Sequence, residues 1–289
     1  MAGASYVPAV TDWSIPEAPV FTLSGCDEIV RYGMILARSG WNPPPDDFAW
    51  PQDEVHVWRV TLDWPAAAIA DLEPILSPDE RERMRRFHFE RDRRCHLVAR
   101  GLLRTLLGRY LGMAPGQLRF DYSPFGKPSL AAGLVQRPLQ FNVSHAGELV
   151  LIAVAADRTL GIDVEHIRTD IAVGEIAARF FSANERGALA TLAGDLQHGA
   201  FFDCWTRKEA YIKAIGEGLS LPLDQFDVSF LPGEPARLLA TRPDPAEARR
   251  WSLRELEVAD GYKAALAVEG SGWTLRCWDW PAPQDRASR

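Results

Sequence analysis

Three side chains in the segment CWTRKEAYIKAIGEG, residues 204–218, are of types that could do chemistry together. Trp205, Glu209 and Lys213 recur every fourth residue, so on a helix each lies about 40° from the one before. Apolar residues at helical spacing predict such a helix, and the glycines that follow predict its end. The carboxylate then borders the buried face. Alone, Glu209 and Lys213 could equally be a surface ion pair worth about 0.2–0.5 kcal/mol.

A second pair of carboxylates lies in GIDVE, residues 161–165. The pattern predicts a strand, on which Asp163 and Glu165 share one face because side chains alternate. Carboxylates roughly 7 Å apart repel each other unless a cation lies between them, and Mg²⁺ prefers such ligands. A polar strand edge without a metal would look the same. If the helix packs on this strand, Glu209 supplies a third acid and Lys213 faces a phosphate bound by the ion.

Hydrogen-bond donors suited to phosphate occur in two short motifs. GKP holds Lys127 in a loop fixed by glycine and proline, and NVSH places Ser144 and His145 at the end of an apolar strand. The GxSxG, GxGxxG and GxxxxGK[ST] patterns are absent, which argues against a hydrolase triad, a dinucleotide fold and a P-loop. Capping or core hydrogen bonding is the alternative role for Ser144 and His145.

The charge is acidic overall and strongly basic in one segment. The formal net charge is −7, which argues against a general nucleic-acid binder. Residues 81–109, however, contain ten arginines against three acids. Such a segment is typical of a surface for a phosphorylated ligand or an acidic partner, or of two salt-bridged helices.

Composition places the chain among soluble globular proteins. It has 289 residues, of which 47% are hydrophobic and 25% charged, enough for a large core in one or two domains. No apolar run of about 18 residues predicts a membrane helix, and the N-terminus lacks the features of a secretion signal. The cysteines form no CxxC pair, so we expect free thiols, no zinc site and a cytoplasmic location. They are Cys26, Cys95, Cys204 and Cys277.

Strands and helices occur in groups and not in strict alternation, which favours an α+β fold with mostly antiparallel sheets. SPDE at residues 77–80 and SANE at residues 182–185 each predict a helix start with a capping box. A long helix follows the first box and is expected to end near Gly112. Residues 1–53 predict an irregular extension that wraps the body.

The motifs, taken in order, resemble those of the Sfp-type 4′-phosphopantetheinyl transferases. The sequence RMRRFHFERDRR is followed by GKP, FNVSH, GIDVE, FFSANE and WTRKEAYIKAIGEGL. Each motif is weak alone, whereas their combination and spacing are highly specific. The resemblance covers about residues 54–268.

The resemblance implies a fold and a division of the chain. It implies a pseudo-twofold monomer of two similar α+β halves, with coenzyme A and Mg²⁺ bound between them. The expected parts are an N-terminal extension (1–53), a first half (54–156), a second half with the metal site (157–268) and a C-terminal tail (269–289).

The resemblance also implies an activity. Such enzymes move the 4′-phosphopantetheine arm of coenzyme A to a serine of an apo acyl or peptidyl carrier protein and release 3′,5′-adenosine diphosphate. No nucleic acid or membrane takes part. Two alternatives stay open: another Mg²⁺-dependent transferase of phosphate groups, and a non-catalytic module that binds coenzyme A or a carrier protein.

The implied site residues fall into three roles. The metal ligands are Asp163, Glu165 and Glu209, for Mg²⁺ or alternatively Mn²⁺. The catalytic residues are Glu209, as the base for the carrier serine, together with Lys213 and Asp163. The coenzyme-binding residues are Arg83, Lys127, Ser144, His145 and Lys213.

Two further acids need a separate interpretation. Glu80 occupies a position where some relatives carry a basic residue near the coenzyme, so a nearby arginine has to take that role. Glu185 is explained by its capping box, and we expect it to be structural.

Overall fold

A computed structural model describes residues 40–45 and 49–281, which belong to one compact unit. Most of the predicted N-terminal extension and residues 282–289 lie outside the described residues. Within the described part, no helix is long and apolar enough to cross a membrane. The helices are α1 (Ala66–Ala70), α2 (Pro78–Arg86), α3 (Glu90–Leu111), α4 (Val173–Phe180), α5 (Ala183–Ala190) and α6 (Gly194–Ile215).

The strands form two main sheets and two small hairpins. The four-stranded sheet has the order β11-β1-β5-β4, and the three-stranded sheet has the order β6-β10-β9. Only the β1–β11 pair is parallel among the described strands, so the predicted α+β fold with mostly antiparallel sheets is confirmed. The strands are β1 (Glu54–Thr61), β2 (Phe120–Tyr122), β3 (Pro128–Leu130), β4 (Leu139–Ala146), β5 (Leu149–Ala156), β6 (Leu160–His166), β7 (Phe226–Val228), β8 (Leu238–Thr241), β9 (Trp251–Glu255), β10 (Tyr262–Glu269) and β11 (Thr274–Asp279).

The order of elements repeats along the chain. A first strand, a 22-residue helix, a hairpin and two further strands occur once as β1, α3, β2–β3, β4 and β5. They occur again as β6, α6, β7–β8, β9 and β10, with another helix of 22 residues. In both sheets the first strand pairs with the last, as β1-β5-β4 and as β6-β10-β9. This repeat agrees with the two similar halves that the family resemblance implies.

Local sequence explains where the helices begin and end. Both predicted capping boxes are present, Ser77 with Glu80 and Ser182 with Glu185, and each satisfies backbone amides that a helix start leaves free. Helix α3 ends at Gly112, whose φ of 62° lies in the left-handed region that suits glycine.

Strand β1 is covered on both faces. Its six central residues are all buried, including Arg59 at 1% exposure. The Arg59 guanidinium donates to both oxygens of Asp279 at 2.7 and 3.0 Å. Asp279 belongs to β11, which pairs in parallel with β1. The described part of the predicted C-terminal tail is therefore an added strand of the first sheet.

Candidate active site

A glycine lets helix α6 lie directly on strand β6. A Cβ atom at Gly161 would collide with the backbone of Ala210 and Ala214 in the helix. The missing side chain therefore permits a close approach of the two backbones. This contact brings Glu209 and Lys213 of the helix against the acids of the strand.

Lys213, Asp163 and Ser144 meet at the junction of three elements. The Lys213 Nζ atom donates to Asp163 Oδ1 at 2.6 Å and to Ser144 Oγ at 3.0 Å. The Ser144 hydroxyl donates to the same Asp163 oxygen at 2.9 Å. Sequence analysis found no acid beside Ser144 along the chain, and here strand β6 provides one. The structure thus joins one residue of the first half to two of the second.

The acids of the cluster influence one another strongly. Burial and then the charge of Asp163 raise the pKa of Glu165 to about 8, against the lowering effect of Lys213. Burial and the charge of Asp163 likewise raise the pKa of Glu209 to about 8. The nearby carboxylates raise the pKa of Lys213 against the opposing effect of its own burial. The three acids are therefore close enough to compete for positive charge.

The donor set fits a hard divalent cation. Asp163 Oδ2 and Glu209 Oε2 are buried and have no hydrogen-bond partner. Unpaired buried carboxylate oxygens are costly unless a cation satisfies them, and Mg²⁺ prefers carboxylate oxygens. Across residues 40–45 and 49–281, no three acidic, histidine or cysteine side chains form a preassembled metal site. Lys213 supplies the positive charge at Asp163 in this arrangement.

Trp205 anchors the helix, as the sequence predicts. Its ring stacks on Phe201 at a centroid distance of 5.9 Å and meets the edge of Phe180 at 5.7 Å. It is 8% exposed, so these contacts hold the buried side of α6 one turn before Glu209.

A cluster of basic side chains lies beside the acid site, on the first half. Burial, followed by the charges of Arg100 and Arg83, lowers the pKa of His96 to about 4, and His145 contributes a smaller effect in the same direction. His96 Nε2 and Arg100 Nη1 are buried without a hydrogen-bond partner. An anion would satisfy the free donor of Arg100, and its negative charge would raise the pKa of His96 and favour the ring form that donates. The predicted residues Arg83 and His145 thus both lie near His96.

Sequence analysis gave no individual role to His96, Arg100 or Tyr122, although it counted Arg100 within the arginine-rich segment. His96 and Arg100 are four residues apart on α3, so they share a helix face, and Arg100 lies 5.8 Å from the ring of Tyr122. The i,i+4 spacing was a readable signal for His96 and Arg100. Tyr122 carried none, because only the β2–β3 hairpin brings it to the helix.

Lys127 occupies a different environment from the one we expected. Its Nζ atom donates to the carbonyl oxygens of Leu160 at 3.2 Å and Ala214 at 2.8 Å. Burial lowers its pKa to about 8. The side chain therefore links the GKP loop to β6 and to the end of α6, and its predicted contact with the coenzyme stays a prediction.

The two capping glutamates have a shared structural role. Glu80 forms a buried ion pair with Arg104 at 2.6 Å, and Glu185 forms one with Lys208 at 2.8 Å. Both acids cap a short helix and bind the long helix that follows. The structural interpretation of Glu185 agrees with these contacts, and Glu80 has the same explanation.

Comparison with known protein families decides which family this chain belongs to. Residues 64–157 match the family described as "4'-phosphopantetheinyl transferase, N-terminal", and residues 159–267 match the "4'-phosphopantetheinyl transferase superfamily". The chain is 41% identical over 245 residues to 4′-phosphopantetheinyl transferase HetI of Nostoc sp., covering 85% of this chain and 100% of the relative. The chain belongs to the 4′-phosphopantetheinyl transferase superfamily.

Other members of the superfamily are also similar. The chain is 34% identical over 193 residues to 4′-phosphopantetheinyl transferase Sfp of Bacillus subtilis, covering 67% of this chain and 82% of the relative. It is 33% identical over 225 residues to a putative 4′-phosphopantetheinyl transferase of Synechocystis sp., covering 77% and 86%. The two matched family segments meet at the turn between β5 and β6, where the repeat of elements restarts.

Proposed function

We propose that this protein transfers the 4′-phosphopantetheine arm of coenzyme A to a serine of an apo acyl or peptidyl carrier protein. The observation that carries the proposal is the acid cluster of Asp163, Glu165 and Glu209 with Lys213, beside the cluster of basic side chains on the first half. The names of the related proteins give the reaction class. The protein would act as a cytoplasmic monomer, without nucleic acid or membrane.

The reaction needs charge neutralisation and alignment more than covalent help. The carrier serine oxygen attacks the phosphorus that bears the pantetheine arm and forms a new P–O bond. The bond from that phosphorus to the bridging pyrophosphate oxygen breaks, and 3′,5′-adenosine diphosphate leaves with the electron pair. The serine proton passes to a base.

Each acid of the cluster has a proposed role. Asp163, Glu165 and Glu209 would hold Mg²⁺, or alternatively Mn²⁺, which when bound neutralises the pyrophosphate charge. Glu209 keeps its predicted role as the candidate base for the serine proton, since it is a carboxylate of this same cluster. The Lys213 ammonium stabilises the negative charge on the leaving phosphate.

The cluster of basic side chains is proposed to bind the 3′-phosphate of the coenzyme. Arg100 Nη1 is a donor without a partner that a phosphate oxygen would satisfy. The phosphate charge would also favour the protonated form of His96, whose Nε2 could then donate. Arg83 and His145 lie in the same electrostatic environment and keep their predicted roles as coenzyme residues. Ser144 precedes His145 on β4 and bonds Asp163, and it keeps its predicted role as a coenzyme residue.

The deciding experiment is direct. The protein is mixed with coenzyme A, MgCl₂ and a panel of apo carrier proteins, and intact carrier masses are recorded beside an Asp163→Ala control. We expect one added phosphopantetheine group with the wild type and none with the variant. Coenzyme A binding without transfer to any carrier would favour a binding module. Transfer of a different phosphate-linked group would favour another transferase.

A further inference from the structure

The two main sheets meet edge to edge without a backbone ladder between them. Strand β4 ends one sheet and strand β6 ends the other, and the two strands contact each other extensively. Backbone amides and carbonyls on such edges need partners when they are buried. In this protein, side chains from the first half provide those partners.

The bridging side chains form hydrogen bonds with backbone groups of alternate residues of β6. Backbone groups that face one edge of a strand belong to alternate residues, which explains the spacing. The contacts are Lys127 Nζ to the Leu160 carbonyl at 3.2 Å, the Ile162 amide to Asn142 Oδ1 at 2.9 Å, and the Val164 amide to Ser144 Oγ at 3.3 Å.

Each bridge holds the direct neighbour of a site residue. Ile162 and Val164 flank Asp163, so the amides on both sides of this acid are fixed from the first half. Lys127 also binds the carbonyl oxygen of Ala214, which follows Lys213. Asn142 is 6% exposed and Lys127 is largely enclosed, so water cannot readily replace these contacts.

We propose that Asn142 and Lys127 are positioning residues that hold the acid strand and the end of helix α6 against the first half. The inference rests on the proposed function. Neither residue is assigned a contact with the metal or the reacting phosphorus, and Lys127 alone is among the predicted coenzyme-binding residues. Asn142 acts through the backbone of β6, and Lys127 acts through the carbonyls of Leu160 and Ala214.

The distance between the two halves depends on side-chain bridges, whereas the distance between paired strands depends on backbone hydrogen bonds. Ladder strands lie about 4.8 Å apart by backbone geometry alone. A bridge depends on the length and acceptor of one side chain, so its removal lets β6 shift without unfolding either sheet. Mg²⁺ demands near-ideal octahedral geometry, and a displacement of about 1 Å can cost roughly 100-fold in rate. The acids are thus sensitive to these bridges.

The test compares two bridge variants with a matched control. Asn142→Leu removes the acceptor at similar size, and Lys127→Met removes the ammonium. Ser229→Ala removes another buried hydroxyl, which accepts from the Arg237 amide at 2.8 Å and donates to the Pro235 carbonyl at 2.7 Å, outside the acid site. Mn²⁺ affinity by electron paramagnetic resonance, thermal midpoint, kcat and KM are measured for each.

We expect both bridge variants to bind Mn²⁺ about 10-fold more weakly or worse, and kcat to fall about 10- to 100-fold. Ser229→Ala should lose stability alone. Mn²⁺ affinity within about twofold of wild type in both bridge variants would overturn the inference, as would an equal loss in Ser229→Ala. If Asn142→Leu does not fold, Lys127→Met decides alone. Wild type that binds Mn²⁺ but transfers nothing would refute the proposed function and leave this comparison intact.

Discussion

The two halves of the molecule share a scaffold and differ in what faces the long helix. In each half a capping glutamate forms a buried ion pair with the fifteenth residue of a 22-residue helix. These residues are Arg104 in α3 and Lys208 in α6. Arg104 lies 5.0 Å from the Phe120 ring, and Lys208 lies 4.2 Å from the Phe226 ring. The anchor of the long helix is thus built twice from the same parts.

The strand beneath each helix shows the difference. Trp58 pairs with the fourth residue of β5, and Asp163 pairs with the fourth residue of β10, so they occupy equivalent positions. By the same register Val60 corresponds to Glu165. Trp58 and Val60 belong to the apolar core, whereas the acids form the candidate site. The first half uses this strand face for stability, and the second half carries the candidate site on it.

The difference extends to the helix. His56 in β1, which bonds the Tyr110 hydroxyl of α3, corresponds in register to Gly161, which carries no side chain. Counting along the two helices, Thr105 corresponds to Glu209. The candidate site therefore lies at positions of the second half where the residues that pack the first half are replaced. The cost of burying carboxylates there is offset only when positive charge is supplied.

The largest expected effect comes from substituting the two equivalent helix residues, Glu209 and Thr105, one at a time. Glu209→Gln should lower kcat by about 10²- to 10⁴-fold, because it removes the candidate base and a metal oxygen. Thr105→Val, which removes only a hydroxyl bonded to the Gly101 carbonyl, should change kcat by less than about twofold. Steady-state kinetics on one carrier checks both. A similar loss in both variants would place the chemistry in the shared scaffold.

Substituting the two helix anchors, Arg104 and Lys208, should lower stability by similar amounts but should affect activity differently. Arg104→Met and Lys208→Met each leave a buried carboxylate without its partner, which should lower the free energy of unfolding by about 3–5 kcal/mol. Urea denaturation measures this. Lys208 precedes Glu209, so Lys208→Met should also reduce kcat at a temperature where both variants are folded. Equal kcat values would show that the anchor does not support the site.

The acid cluster should make the metal-free protein less stable as pH rises. The pKa of Glu209 is raised from 4.5 to about 8, so between these values the folded state holds a proton that the unfolded chain has released. Stability then falls as pH increases, by up to about 1.4 kcal/mol per unit for one such proton. Glu165 acts in the same direction.

Thermal midpoints measured in EDTA between pH 6 and pH 9 test this effect. Glu209→Gln should flatten the slope, since its amide does not titrate. Adding Mg²⁺ should stabilise the wild type most at high pH, where the carboxylates are free to bind the ion. A midpoint that rises with pH equally in both proteins would contradict the proposed electrostatics.

Much of this architecture was predictable from local sequence. The capping boxes, the ends of the long helices at glycine, and the shared face of Asp163 and Glu165 follow from short-range rules. The approach of Glu209 to these acids depended on packing, and Gly161 was the residue that allowed it. The sequence motif contained that glycine, but its reason appears only in three dimensions.

Long-range contacts explain what the sequence did not predict. The pairing of β11 with β1 joins residues more than 200 positions apart, and no local pattern encodes such a partner. Likewise Lys127 has the features of a phosphate ligand in its loop, yet two carbonyls from the second half bind its ammonium.

The smallest expected effect concerns the short capped helices. Helix α2 carries Arg81, Arg83, Arg85 and Arg86, whereas the equivalent α5 carries only Arg186. We propose that the arginines of α2 attract acidic carrier proteins, which accelerates association and weakens with salt. The two halves would then differ in partner binding as well as at the candidate site.

Arg86→Ala and Arg186→Ala provide the matched pair, because both side chains are exposed. We expect Arg86→Ala to raise the carrier KM about two- to fivefold at low salt, with kcat and the coenzyme A KM unchanged. The difference should shrink at high ionic strength, since exposed charges are screened within about 10 Å at 0.1 M salt. Arg186→Ala should have no such effect. A carrier KM that is independent of salt in the wild type would show that docking uses apolar contacts, and the halves would then differ only at the acid site.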